Sequence, residues 1–144
     1  VAGFAAKAGS AKEIREKADM LLFKMHAENA KDRLPSQVSG GEAQRAAIAR
    51  AMIGNPGLLF ADEPTGALNK ANSEEVMNLL TELNHDGQSI LMVTHDVRAA
   101  IHGNRILYLE DGKILDELNL PPYGNDELKA RENNVLRWLS SLGW

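Results

Sequence analysis

The 144-residue chain contains no cysteine. A disulfide framework, a thiolate-bound zinc and a thiol nucleophile are therefore excluded, and the sequence fits a reducing compartment, with stability left to packing. Positive charge is not in excess: 16 lysines and arginines stand against 20 acidic residues, a formal balance of −4. A surface that neutralises many phosphates along a nucleic acid is not expected. No apolar run approaches the roughly 18 residues that span a bilayer, so any membrane role is expected to be peripheral. Val1–Lys7 has neither the basic start nor the apolar core of a secretory signal and does not begin with methionine, which reads as part of a longer chain. Internal repeats, low-complexity tracts and flexible linkers are missing too. What remains, 44% apolar and 25% charged residues, suits one compact core, and a second full domain is not expected.

Ser10 with Glu13 forms a capping-box pattern, and Ile14, Ala18, Leu21 and Met25 follow at helical spacing, which predicts a helix over Ala11–His26. Pro35 and its polar neighbours make 32–38 a loop. The small and apolar stretch Glu42–Ile53 predicts a largely buried helix, ended by Asn55-Pro56-Gly57. Leu58–Ala61 is an uninterrupted apolar run and predicts a strand buried on both faces of a parallel sheet. Asn72 with Glu75 can cap a helix carrying Val76, Leu79, Leu80 and Leu83, stopped by Gly87, before a second strand at Ser89–Thr94. Strand, helix and strand imply a right-handed parallel crossover. Arg105–Glu110, Asp111-Gly112 and Lys113–Asp116 predict a hairpin. After Pro121-Pro122, Asp126 can cap a last helix with a Leu128, Val135, Leu136, Leu139 and Leu142 stripe and Gly143 as its stop.

Three features carry chemistry. Ser39-Gly40-Gly41-Glu42 offers a hydroxyl, two residues that let backbone come close, and amides at the positive end of a helix dipole, which suits an anion; a plain serine-capped turn is the alternative. Asp62-Glu63 at a strand end gives two carboxylates, one able to hold a hydrated Mg²⁺ and the other to polarise water. His95 follows the second strand, at the carboxyl edge where α/β proteins bind ligands. His26, His85 and His102 have no partner pattern and read as solvated or structural, and Glu74, Glu75 and Glu82 as a charged helix face. Trp138 and Trp144 are expected to pack against their own domain.

Val38-Ser39-Gly40-Gly41-Glu42 with Gln44-Arg45, then Ala49-Arg50-Ala51, Leu58–Glu63 with Pro64-Thr65-Gly66, and Thr94-His95-Asp96 resemble, in order and spacing, the second half of an ATP-binding cassette (ABC) ATPase. The resemblance covers about 32–116. The wording Ala61-Asp62-Glu63-Pro64-Thr65-Gly66 is similar to the subgroup serving lipoprotein release, macrolide export and antimicrobial-peptide export. The resemblance implies an α/β fold, a partial P-loop NTPase core, with a helical subdomain over 1–54, later core over 55–118 and a helical tail over 119–144. It implies that Ser39, Gly40, Gly41 and Glu42 form the signature that presses on ATP held by an opposing subunit. Asp62 would steady Mg²⁺ through water, Glu63 would be the general base, and His95 would reach the γ-phosphate. Ala67-Leu68-Asn69 would be the D-loop, where the family usually has aspartate in place of Asn69. Glu42 replaces the more familiar glutamine.

A phosphate loop needs Gly, four residues, then Gly-Lys and Ser or Thr, and the lone Gly-Lys, Gly112-Lys113, is followed by Ile114. The resemblance therefore implies a front half that would supply most of the nucleotide grip. These residues alone are expected to bind ATP weakly, not to turn it over, and to self-associate through unpaired strands. The implied partners are a second ATPase subunit and a transmembrane permease, contacted through 1–35, at the cytoplasmic face of the plasma membrane. The alternatives are a related ATPase acting on ribosomes or DNA, and a noncatalytic module that completes another subunit's site.

Overall fold

The computed structural model of the protein describes residues 10–124 and 128–144. The Asp126 cap lies outside the described residues. Ser10 starts α1 (Ala11–Lys24) with the expected reciprocal box: its hydroxyl accepts from the Glu13 amide at 3.4 Å, and its own amide donates to Glu13 at 2.6 Å. The helix stops two residues sooner than expected because His26 turns left-handed, φ 52°. The His26 amide then donates to Phe23 O and the Ala27 amide to Leu22 O, which satisfies the last carbonyls. A single 3-10 turn at Glu28–Ala30 follows, and another at Pro35–Gln37 lies within the expected loop.

Helix α2 (Gly40–Met52) and helix α3 (Lys70–His85) pack together, with strand β1 (Leu58–Asp62) between them in sequence and β2 (Ser89–Val93) after them. α3 ends at Gly87, as expected: φ is 97° there, and Gln88 donates back to Leu83 O. Its start differs from the expectation. Asn69, not Asn72, is the cap, because the Asn69 side chain accepts from the Asn72 amide at 2.9 Å. Asn72 is left free to fill space against α2.

β1 and β2 pair as a parallel two-stranded sheet. Leu59 is buried, but Leu58 and Phe60 are 47% and 68% exposed, which overturns the expectation of a strand covered on both faces. An apolar run reports what a strand can bury, not how many elements cover it. Leu91 and Val93 of β2 are exposed as well, so one face of this sheet is apolar and bare among the described residues.

The chain divides into two compact units, 1–92 and 93–144, where a single core was expected. The first buries Met25, Ile48, Val76, Leu80 and Leu83; the second buries Ala99, Val135 and Leu139. In the second unit α4 (Val97–Ala100), a short helix with no counterpart in the sequence reading, precedes β3 (Arg105–Glu110) and β4 (Lys113–Asn119). Asp111 and Gly112, φ 47° and 73°, make the tight turn expected of this pair, and Leu115 is an extra residue that bulges β4 between Asp116, opposite Tyr108, and Ile114, opposite Leu109. α5 (Leu128–Ser141) closes the unit and stops at Gly143, φ 86°. Trp138 is half-buried, donating to Asp116 at 2.8 Å and standing edge-on to Tyr108, whereas Trp144 is exposed, against the expectation that both pack.

Arg131 of α5 is buried, and its guanidinium donates to Ile101 O, Gly103 O and Pro121 O, at 2.5, 2.8 and 2.7 Å. It also lies 5.5 Å over the Tyr123 ring, which stacks on His102 at 3.9 Å. Burial, and secondarily the Arg131 charge, pushes His102 down from 6.5 to about 4. Its role is structural.

Candidate functional site

Ser39 caps α2: its side chain accepts from the Glu42 amide at 3.2 Å, and its carbonyl accepts from the Ala43 amide at 2.8 Å. The Gly40 and Gly41 amides form no hydrogen bond among the described residues. They are donors at the positive end of a 13-residue helix. Glu42 is buried, and its carboxylate faces Arg33 at 3.8 Å, which gives this acidic residue a partner that glutamine would not require.

The turn before α3 and the first residues of α3 crowd both glycines, Gly41 far more than Gly40. A Cβ on Gly40 would lie 3.2 Å from the end of Leu68, and one on Gly41 would lie 2.7 Å from Asn72 Cγ and Oδ1. The Ser39–Gly41 turn thus sits directly on Leu68 and on the helix that Asn69 caps. Asparagine and aspartate cap helices equally well, so the residue that departs from the usual aspartate keeps its structural task.

Asp62 is the exposed last residue of β1. Glu63 does not continue the strand: its φ is 43°, so strand alternation, on which two opposed carboxylates were expected, does not extend to it. A non-glycine residue here is held at some cost, and such strain gathers at functional sites. Pro64 and Thr65 are buried behind it, and the Gly66 amide donates to Glu63 O at 3.0 Å, which closes the corner. Ser39, Gly40, Gly41, Asp62, Glu63 and Ala67–Asn69 all belong to the first unit.

Thr94, His95 and Asp96 open the second unit. Thr94 Oγ1 accepts from the Asp96 amide at 3.0 Å, and Asp96 caps α4 through the Arg98 amide. Burial raises the Asp96 carboxyl, but the hydrogen bonds and charge of Arg98 outweigh it and hold it below the usual carboxylate range. His95 is exposed.

The sequence reading quotes Arg45 only within the resemblance, without a role, and reads Asn72 as a cap. Arg45 is a charged residue at the edge of a small-residue helix run, and that anomaly was the available signal.

In fold the chain forms part of an ATP-binding cassette, and its sequence is similar to ABC transporter ATP-binding proteins. A family model described as ABC transporter matches residues 4–66. Among relatives, the macrolide export ATP-binding/permease protein MacB of Pasteurella multocida is 39% identical over 127 residues, 88% of this chain and 19% of its own length. ABC transporter H family member 2 of Dictyostelium discoideum is 48% identical over 106 residues, 73% of this chain and 21% of its own. Among solved structures, the dimeric post-hydrolysis state of the cassette MJ0796 bound to ADP and Pi matches with TM-score 0.69 at 42% identity, covering 81% of this chain and 51% of that one. The cassette MJ1267 matches at 22% identity and TM-score 0.73, over 89% of this chain and 47% of that one, which supports the fold alone. The chain therefore spans about a fifth of these curated relatives and about half of the solved cassettes.

Proposed function

We propose that the chain is the later part of the ATP-hydrolysing subunit of an export transporter, and that its own residues serve two ATP sites. Ser39, Gly40 and Gly41 contribute to the site of an opposing subunit: the hydroxyl and the two unengaged amides are donors for phosphate oxygens. Asp62, Glu63 and His95 serve the nucleotide held by the chain's own cassette. Glu63 is the base that orients the attacking water, and His95 contacts the γ-phosphate.

The described residues contain no cluster of three or more metal-ligating side chains. The exposed Asp62 carboxylate at the end of β1 fits Mg²⁺, which is commonly held by one or two carboxylates with water and phosphate oxygens completing its shell. Asp62, exposed at the end of β1, is the residue that would hold it through water, and the ion would neutralise charge on the phosphates. The partners are a second cassette and a membrane permease, as the names of the relatives indicate for those proteins, at the cytoplasmic face of the plasma membrane. No helix among the described residues is long and apolar enough to cross a membrane.

The observation that carries this reading is the α2 start: a serine cap with two open amides, in a chain 42% identical to a cassette solved as a dimer with ADP and Pi. The test is to add the protein to an intact, related cassette and follow ATP hydrolysis. Activity should change with the added chain and lose that response with Ser39→Ala; identical responses from both would overturn the assignment. Alone, the chain should show negligible hydrolysis, because it holds no Gly-x4-Gly-Lys loop for the β- and γ-phosphates. Robust activity abolished by Glu63→Gln would refute that.

A further inference from the structure

Arg45 lies one turn beyond the signature, in the middle of α2, and its side chain is only 13% exposed. Its guanidinium reaches two other elements. Nη1 pairs with Glu75 of α3, and Nη2 donates to the carbonyl of His26, the left-handed residue that ends α1. Nε is buried without a hydrogen-bond partner among the described residues, a cost that the other two contacts must offset. A largely covered cation kept under such terms points to what it joins, and lysine, a single point charge, could not make both contacts in this geometry.

What it joins is specific. On the α2 side, six residues back, stands the Ser39 cap; on the α3 side, six residues back from Glu75, stands the Asn69 cap, and between the two caps Gly41 rests on Asn72 with no room for a methyl group. We propose that Arg45, through Glu75, is a positioning residue that locks the signature turn to the D-loop of the same chain, so that displacement of one is imposed on the other. A contact felt at Asn69 is thereby carried to Ser39. The functional meaning rests on the role proposed above for Ser39, but the coupling itself does not.

The two cap amides are built-in reporters. The Glu42 amide is protected by Ser39 Oγ and the Asn72 amide by Asn69 Oδ1. Hydrogen exchange is measured on the protein and on Asn69→Ala, Glu75→Gln and the double variant. Glu75 is 60% exposed, so Glu75→Gln should leave the fold intact. Asn69→Ala should speed exchange at Asn72 directly and at Glu42 by about threefold to tenfold through the clamp. In the Glu75→Gln background, where Glu42 already exchanges faster, adding Asn69→Ala should change Glu42 by less than about twofold. A merely stabilising ion pair would give independent effects that multiply. Either that outcome, or an Asn69→Ala variant that opens Asn72 while Glu42 keeps its protection, would overturn the proposal. The experiment uses no nucleotide, so it can fail while the Ser39 dependence of a mixed ATPase assay stands, and the reverse would condemn only the functional reading.

Discussion

Gly41→Ala tests the closest approach in the first unit. The added methyl would lie 2.7 Å from Asn72 Cγ and Oδ1 and 2.9 Å from Asn72 Cβ, about 1 Å inside ordinary carbon contact at ~3.5–4.0 Å. Asn72 is too short to swing all three atoms away, so α2 must part from α3, disturbing buried packing at a cost of about 1–3 kcal/mol. Alanine's helix propensity returns at most about 1 kcal/mol over glycine, and Gly41 is only the second residue of α2, where it counts for less. Overpacking therefore wins, by about 1–2 kcal/mol. In urea unfolding the midpoint should fall with an unchanged slope, and the melting temperature of the unit should drop by roughly 5–10 °C. Asn72→Ala in the same chain should restore part of the loss, since it removes Cγ and Oδ1 but leaves Cβ. Gly40→Ala should stay within about 0.5 kcal/mol of the parent, because its neighbour at 3.2 Å is the flexible end of Leu68. A Gly41→Ala protein as stable as the parent would refute the reasoning.

Ser39→Ala should lose about 1 kcal/mol by chemical denaturation through the missing cap, and Ser39→Asp should recover it; equal loss in both would mean that the cap contributes nothing. Arg131→Lys should destabilise the second unit by about 2–4 kcal/mol, because an ammonium cannot serve three carbonyls held 2.5–2.8 Å from one fork; tryptophan fluorescence during unfolding reports it, and an unshifted transition would contradict the clamp. His102 makes the same unit acid-sensitive. Its imidazole takes a proton near 6.5 when unfolded and about 4 when folded, so its contribution is complete above pH 6.5 and is lost as pH falls toward 4, by at most about 3 kcal/mol. His102→Phe should flatten that slope, and an unchanged pH profile would show that the histidine does not carry it.

Local chemistry was legible where a residue's task is set by its neighbours in sequence. The Ser10–Glu13 box, the Gly87 and Gly143 stops and the Asp111-Gly112 turn all follow from backbone rules that need no tertiary partner. So did the Ser39 cap and the carboxylate at the end of β1. The failures came where long-range contacts decide. Asn69 and Asn72 are interchangeable as caps on paper, and the choice falls to Asn69 with Asn72 against Gly41. Leu58 and Phe60 satisfy the pattern of an interior strand, yet the covering elements are not encoded in those residues. Arg45 and Arg131 gave no periodic signal, since their partners lie 19 to 30 and 10 to 30 positions away.

The acceptors of Arg131 also impose an order on synthesis. The carbonyls of Ile101, Gly103 and Pro121 are all made before the guanidinium that binds them, by as many as 30 residues. On the ribosome this corner stays open to water until α5 has cleared the exit tunnel, so a stop codon anywhere between 122 and 130 would release a chain with its hairpin written in full but nothing to fasten the bend beneath it.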